Sequence, residues 1–479
     1  MKTDCENLDY LDWQFVAEGR LHVVFFNRNK YSINYNEVLK IPKVRVGRKL
    51  KQDQAYYEYD AFMVRNIMIN WFSKGYIQDI AQLTLSESFL AYIINTYYHD
   101  GNGRSKSLLF APYAYIERNL LKVTQPIPPS HAHCPWTLYD RVISFEFKVK
   151  CGLKSISPFN KTSRRLKLKY SRFAMMQVLK ASRNDVGVGV GTEISSYRPQ
   201  QLCSKESDEV FSCLKSLLQN PQNNLKVSLN GQHKFGWGKT EVTVLHNISS
   251  LFLLPSLSGI RSSSEKERDS DFVLSLVCKI LSENSLLLEL QSMQLLDILD
   301  SEGAAVIYGR LVEEMGSSSI ADERILERIA SPDFGSLVIP DLISLSREMM
   351  ASGKYNLDDN DISSKNLLCP VSKNDAHGGH PDLNSASSSA SPSSAGDVMR
   401  LLLQLAIHEG MSEEEILSSS TAAFELVQGL TGDVCVDLMV AWMMGLIAKD
   451  ASVIVSLQPI RPKKTAAGDN EVGFFIYYN

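Results

Sequence analysis

Residues 141–150 alternate without a break: Ile143, Phe145, Phe147 and Val149 fall on one face, and Ser144, Glu146, Lys148 and Lys150 on the other. Successive side chains leave a β-strand on opposite sides, so this period of two predicts a strand with one covered face. Two lysines and a carboxylate then point the same way. Elsewhere the period changes to that of helices, and the chain reads as α+β.

A second alternating segment runs from Phe15 to Phe26, breaks at Asn27-Arg28-Asn29 and resumes over 37–41, as two antiparallel strands joined by a turn would. Helix is expected over 56–73 and a strand with its connector over 108–116, completing a small α+β lobe. Beyond the central strand, 170–180 and 209–218 read as helices, and Leu225 to Leu229 as a short strand ending in a turn at Asn230-Gly231. The stretch 250–350 is helical by period, notably 271–299, as are 398–409 and 434–448, while 453–457 and 474–478 read as late strands. A serine-rich run over 385–396 reads as a linker or insertion that carries no chemistry. The organisation expected is an N-lobe over 1–112 and a larger C-lobe over 113–479, with the low-complexity insertion at about 370–397.

At 479 residues, 44% hydrophobic and 22% charged, the chain can bury sizeable cores and lies away from the disordered classes. No apolar run reaches the roughly 20 residues that cross a bilayer, and Asp4, Glu6 and Asp9 stand where a signal peptide would be basic and then apolar. The expectation is a cytoplasmic or nuclear protein that binds no membrane. Eight scattered cysteines spell neither a disulfide framework nor a zinc knuckle. His131, His133 and Cys134 sit in a proline-rich loop, where chance explains their proximity better than a metal does. A net charge of -4 argues against a general nucleic-acid binder. Yet 146–180 holds ten basic residues against the single acid Glu146, which is either a solvated face or a polyanion site.

Three stretches carry a resemblance: Glu146-Phe147-Lys148-Val149-Lys150-Cys151-Gly152, Ser171-Arg172-Phe173 with Gln177 to Lys180, and Pro221 to Gly231, which contains Gln222-Asn223-Asn224-Leu225-Lys226. In order and spacing they are similar to the inositol-pentakisphosphate 2-kinase family, whose first signature reads Glu-Ile-Lys-Pro-Lys-Cys-Gly. Weaker similarity extends from Asp12-Trp13 to Asp450-Ala451-Ser452. The resemblance implies a two-lobed kinase, acting as a monomer, that moves the γ-phosphoryl of ATP, with Mg2+, to the 2-hydroxyl of inositol 1,3,4,5,6-pentakisphosphate to give phytate. Such transfer needs cations and a metal-holding carboxylate more than covalent chemistry.

By the same resemblance Gly19 lies in the turn over the nucleotide phosphates, Lys40 is the cation on them and Glu146 belongs to the ATP site. Lys148 is the transition-state cation. Arg45, Lys150, Lys180, Asn223 and Asn224 are inositide ligands, and Asp450 is the catalytic metal ligand. Each has a plainer reading: a solvated lysine at a strand end, asparagines in a proline-initiated turn, a helix-end aspartate. Phe110 to Tyr113 stands where the family passes the adenine, and Pro199-Gln200-Gln201-Leu202 echoes its Pro-Leu-Asp-Leu. The family continues into an Asp-Leu-Asp-Leu-Lys-Pro-like segment with a second metal-ligating aspartate, whereas this sequence ends at Asn479, so low activity is expected. The rival expectation is a catalytically dead kinase fold that binds inositol polyphosphates or a protein partner. A third reading, an RNA or anionic-lipid binder using 146–180, suffers from few interleaved aromatics and overall acidity.

Overall fold

The computed structural model describes residues 2–4, 10–18, 22–29, 31, 37–44, 62, 64–72, 81–99, 109–118, 136–138, 142–161, 164–182, 194–230, 232–236, 263–351, 392, 394–407, 411–462 and 473–478. The fold is α+β with a β-rich N-terminal region. The chain forms two compact units, one of Met1–Phe147, Lys226–Lys239 and Val453–Asn479, the other of Lys148–Leu225 and Thr240–Ser452.

In the first unit, strands β1 (Lys2–Asp4), β2 (Trp13–Glu18), β3 (His22–Asn27), β4 (Glu37–Val44), β5 (Ala81–Thr84), β6 (Leu109–Phe110) and β7 (Tyr113–Arg118) form a seven-stranded sheet. Its order is β1-β5-β7-β4-β3-β2, with β6 on β4. The segment expected as two strands is three, because the chain reverses between β2 and β3 as well as between β3 and β4. Val23 and Phe25 of β3 and Leu39 and Ile41 of β4 are buried on one face. Helix α1 (Glu87–His99) covers that core with Phe89, Ile93 and Tyr97, which repeat every four residues along one stripe. The Tyr97 ring meets Phe15 and Phe110 edge-on, each at 5.5 Å. Of the helix expected over 56–73, the described residues form a π-helical turn, Val64–Met68, leading into Ile69–Trp71, and 56–61 lie outside them.

A six-stranded sheet joins β8 (Trp136–Leu138), β9 (Ile143–Lys148), β10 (Leu225–Leu229), β11 (Gln232–Gly236), β12 (Ser452–Pro462) and β13 (Gly473–Tyr478) in the order β11-β10-β9-β12-β13, with β8 on β12. The apolar side of β9 is core, as its alternation requires: Ile143, Phe145 and Phe147 are each no more than 1% exposed. Ser144, on the side expected to be polar, is buried too, because its hydroxyl pairs with that of Ser456 on β12 at 2.7 Å. Asn230 turns the β10–β11 hairpin with φ 50°, a left-handed value that asparagine tolerates. Its carboxamide oxygen accepts from the Val142 N–H at 2.7 Å and its own N–H donates to the Val142 carbonyl at 2.8 Å, tying the turn to the start of β9.

The second unit is helical: α2 (Arg164–Lys169), α3 (Arg172–Ser182), α4 (Pro199–Leu202), α5 (Ser207–Gln219), α6 (Ser263–Glu283), α7 (Leu286–Gln294), α8 (Asp300–Met315), α9 (Ser318–Ala330), α10 (Ile339–Ala351), α11 (Ala395–Gln404), α12 (Glu413–Gln428) and α13 (Gly432–Asp450). Helix α13 is its centre. Val436, Val440, Met444 and Ala448 are buried on it along with Cys435, Leu438, Met439 and Ala441, and α7, α8, α9 and α11 pack around it. A helix apolar on every side belongs inside. Two of its carboxylates are matched: Arg328 of α9 takes Asp437 bidentately at 2.6 and 3.0 Å, and Arg324 takes Asp433 at 3.0 Å. No helix among the described residues is long and apolar enough to cross a membrane.

The helical stretch expected over 271–299 is divided between α6 and α7. The Asn284 carboxamide accepts the Leu286 N–H at 2.7 Å and restarts the chain as α7, since short polar side chains compete with the helix for backbone groups. After Gln294, tight bonds from Leu295, Leu296 and Asp297 back to the third residue before each close the helix, and Asp300, at φ 54°, opens α8.

Candidate functional site

The Lys148 N–H donates to the Asn224 carbonyl at 2.9 Å, so the end of β9 is bonded to the turn that precedes β10. The Lys150 N–H folds back onto the Lys148 carbonyl at 2.9 Å, and the Val149 N–H reaches Ala451 at 3.3 Å. Lys148 and Lys150 are half-buried, so their long stems lie along protein surface from a fixed backbone.

The facing turn is equally constrained. Pro221 starts it, the Asn224 N–H closes it onto the Pro221 carbonyl at 2.8 Å, and Gln222 takes the left-handed φ of 44°. Gln222 then exchanges two hydrogen bonds with Gln177 of α3, at 2.8 and 2.6 Å. Asn224 is 2% exposed, and its amide nitrogen is buried with no acceptor among the described residues. A buried donor left so costs about 1–3 kcal/mol, which a ligand oxygen would relieve. Asn223 beside it is half-buried.

Cys151-Gly152 leads away from this strand end, and the Gln200 carboxamide of α4 donates to the Gly152 carbonyl. A Cβ on residue 152 would lie 2.5 Å from that carboxamide, so the faint Pro199-Gln200-Gln201-Leu202 echo has a structural task against a glycine.

The basic run is not one polyanion face. Lys167 is enclosed by the Asn160 carboxamide at 3.0 Å, Glu302 at 3.0 Å and Asp300 at 3.3 Å. Arg164 donates to the Asn160 carbonyl at 2.6 Å, Arg165 pairs with Glu413 at 2.9 Å, and Lys161 lies 4.4 Å over the Phe424 ring. Three of the ten cations, Lys161, Arg165 and Lys167, therefore meet groups on α8 or α12, a pairing across distant sequence that local charge counting cannot see, while Arg164 bonds locally.

In the first unit, Lys40 lies inside β4 rather than at its end, opposite Val24 on β3 and Tyr115 on β7. His22 stands opposite Pro42, its ring edge-on to Tyr115 at 6.4 Å. Burial, with help from Lys40 and Lys43, pulls the His22 imidazole down to about 4, so it is neutral at physiological pH. Glu146 pairs with Lys226 of β10 at 3.2 and 3.4 Å, an ion pair that sequence reasoning missed.

Gly19, Arg45 and the group His131, His133 and Cys134 lie outside the described residues. Lys180 stands in the last turn of α3 and Asp450 is the last residue of α13, and the side chains of both are likewise outside what is described. Phe110 ends β6 and Tyr113 begins β7, joined by Ala111-Pro112. Among the described residues no three His, Cys, Asp or Glu groups cluster as a metal cage. A nucleotide-bound Mg2+ needs no such cage, because it uses one or two carboxylates together with phosphate oxygens and water. One aspartate at the negative end of a helix dipole suits that donor set.

The sequence model described as inositol-pentakisphosphate 2-kinase matches residues 15–475. Over 173 residues the chain is 35% identical to the inositol-pentakisphosphate 2-kinase of Arabidopsis thaliana, covering 36% of this chain and 37% of that protein. It is 26% identical over 191 residues to the enzyme of Oryza sativa subsp. indica (40% and 41%) and 24% identical over 251 residues to that of Danio rerio (48% and 45%). The aligned stretches thus span less than half of each of these relatives.

Proposed function

The chain belongs to the inositol-pentakisphosphate 2-kinase family, and from that premise we propose that it transfers the γ-phosphoryl of ATP to the 2-hydroxyl of inositol 1,3,4,5,6-pentakisphosphate, giving the hexakisphosphate. The observation that carries the reading is the bond from Lys148 to Asn224, which sets a lysine-bearing strand end beside an asparagine whose enclosed amide lacks an acceptor among the described residues. Fixed cations and fixed donors are what a densely phosphorylated ring requires, because each charged hydrogen bond gains most where the protein does not reorganise.

In this proposal Lys148 balances charge on the group in transit, while Lys150, Lys180, Asn223, Asn224 and Arg45 bind and orient the inositide phosphates. Gly19, Lys40 and Glu146 serve the nucleotide, with Lys226 holding the Glu146 carboxylate in place. ATP would supply the phosphoryl group, and Asp450 would hold Mg2+, whose charge would offset that of the phosphates. The chain's own residues contribute position and charge, and the loose transition state of phosphoryl transfer asks for little basic help.

The test is phosphorylation of the pentakisphosphate by the purified protein with MgATP, alongside calorimetric titration of both ligands. Lys148→Ala is expected to lower kcat by about 100- to 1000-fold, as loss of one preorganised charge-stabilising group does. Lys150→Ala is expected to weaken inositide binding by about 1.5–3 kcal/mol. Tight inositide binding by a protein that never transfers phosphate would instead assign it a binding role.

A further inference from the structure

The segment between α7 and α8 touches both elements that carry the proposed chemistry of the second unit. Gln294, 3% exposed, donates one carboxamide hydrogen to the Val149 carbonyl and the other to the Ala448 carbonyl, each at 3.1 Å. Val149 lies between Lys148 and Lys150, and Ala448 lies two residues before Asp450. Three residues on, Asp297 spends one carboxylate oxygen on the Asp300 N–H at 3.1 Å, fixing its own turn, and the other on the ammonium of Lys449. That pair is almost wholly enclosed, the side chains being 15% and 6% exposed. Gly445, one turn earlier on α13, is where the segment leans closest: a Cβ there would stand 2.8 Å from the Asp297 backbone nitrogen.

We infer that Gln294–Asp297 is a positioning bracket that sets the metal-bearing end of α13 relative to the lysine-bearing end of β9. A helix end left to itself frays, and four carbonyls there have no helical partner. The bracket satisfies one of them, neutralises the last lysine and backs the final turn, so the turn that leads into Asp450 is held at Gly445, Ala448 and Lys449. The same glutamine fixes the strand, and a displacement of about 1 Å between two such groups can cost 100-fold in rate. Gln294 touches no reacting atom and acts through Val149 and Ala448.

This inference rests on the proposed kinase reading for the roles of Lys148, Lys150 and Asp450, and its test separates the two. Gln294→Met keeps the length and shape of the side chain and removes both donors. Ser420→Ala, which removes a buried hydroxyl's 2.7 Å bond to the Pro158 carbonyl, is the stability-matched control. Three quantities are read for each: melting temperature, steady-state kcat and KM, and ATP affinity by calorimetry with and without Mg2+. Both variants are expected to lower the melting temperature by a similar few degrees. Only Gln294→Met should lower kcat, by about 10- to 100-fold, with the inositide KM changed less than about threefold, and only it should shrink the gain in ATP affinity that Mg2+ provides. If Gln294→Met and Ser420→Ala lose the same activity per degree and keep the same Mg2+ effect, the bracket is merely structural and the inference falls. A wild-type protein without turnover whose Mg2+ effect still disappears in Gln294→Met would overturn the kinase reading while upholding the bracket.

Discussion

Gln177 and Gln222, 45 residues apart in sequence, face each other amide to amide, each donating to the other's oxygen at 2.8 and 2.6 Å. One is on α3, one turn before Lys180, and the other is in the turn that presents Asn223 and Asn224. A pair with both bonds satisfied holds the two elements in one register. Gln222→Ala leaves the buried Gln177 amide unpaired and should cost about 1–3 kcal/mol of unfolding free energy, whereas Gln177→Ala leaves the half-buried Gln222 within reach of water and should cost about 1 kcal/mol. The double variant should cost clearly less than the two losses added together. Chemical denaturation of the four proteins checks this, and strictly additive losses would show that the amides are not coupled.

Glu146 and Lys226 give a second prediction. The carboxylate is 17% exposed, and without the ammonium it is left nearly enclosed and free to turn. Lys226→Met should weaken ATP binding by about three- to tenfold while the pentakisphosphate affinity stays constant. Calorimetry with each ligand decides the matter, and unchanged ATP affinity in both Lys226→Met and Glu146→Gln would remove Glu146 from the nucleotide site.

A pH effect follows from His22. Its folded value of about 4 lies below the ordinary 6.5, so between these limits the unfolded chain takes up a proton that the folded protein refuses. Stability from this residue is complete above about pH 6.5, falls as pH drops toward about 4 and is constant below, with a slope of at most about 1.4 kcal/mol per pH unit. His22→Gln should flatten the stability profile over this window. Urea denaturation at several pH values tests it, and parallel profiles for the two proteins would place the histidine's surroundings elsewhere.

Two glycine substitutions should differ in severity for a geometric reason. At Gly152 a new methyl meets the far end of Gln200, a side chain that can swing away, and the loss is about one hydrogen bond, roughly 1 kcal/mol. At Gly445 it meets the Asp297 backbone, which cannot retreat without moving the turn into α8. Gly445→Ala should therefore cost at least about 2 kcal/mol, within the range for overpacking. Equal melting temperatures for the two variants would contradict that ordering.

Local patterns carried much of this molecule. Leu225–Leu229 is the strand its sequence suggests, and the apolar side of β9 is core. Helix α12 went unread because serines and glutamates dilute its apolar stripe of Ile416, Ala423 and Val427, although Ser412 and Glu415 form a legible capping box. Lys40 was expected at a strand end, yet β4 runs on to Val44. What could not be read are the long-range polar pairings: Gln177 with Gln222, Lys226 with Glu146, Lys167 with Glu302, and Gln294 with two carbonyls. Each depends on which surfaces meet after folding, and neither propensity nor period encodes that.

The six-stranded sheet has a kinetic consequence. Its central neighbours β9, β10 and β12 come from residues near 145, 227 and 455, and the Ser144–Ser456 contact closes a separation of 312 residues. The antiparallel strands β2 to β4 are close in sequence and can pair as soon as they emerge from the ribosome, whereas β9 must wait for most of the chain to be synthesised before its partner β12 exists. At about 5–20 residues per second, that delay leaves one edge of a strand rich in buried phenylalanine open for tens of seconds. During this interval the open edge is a template on which another chain can pair.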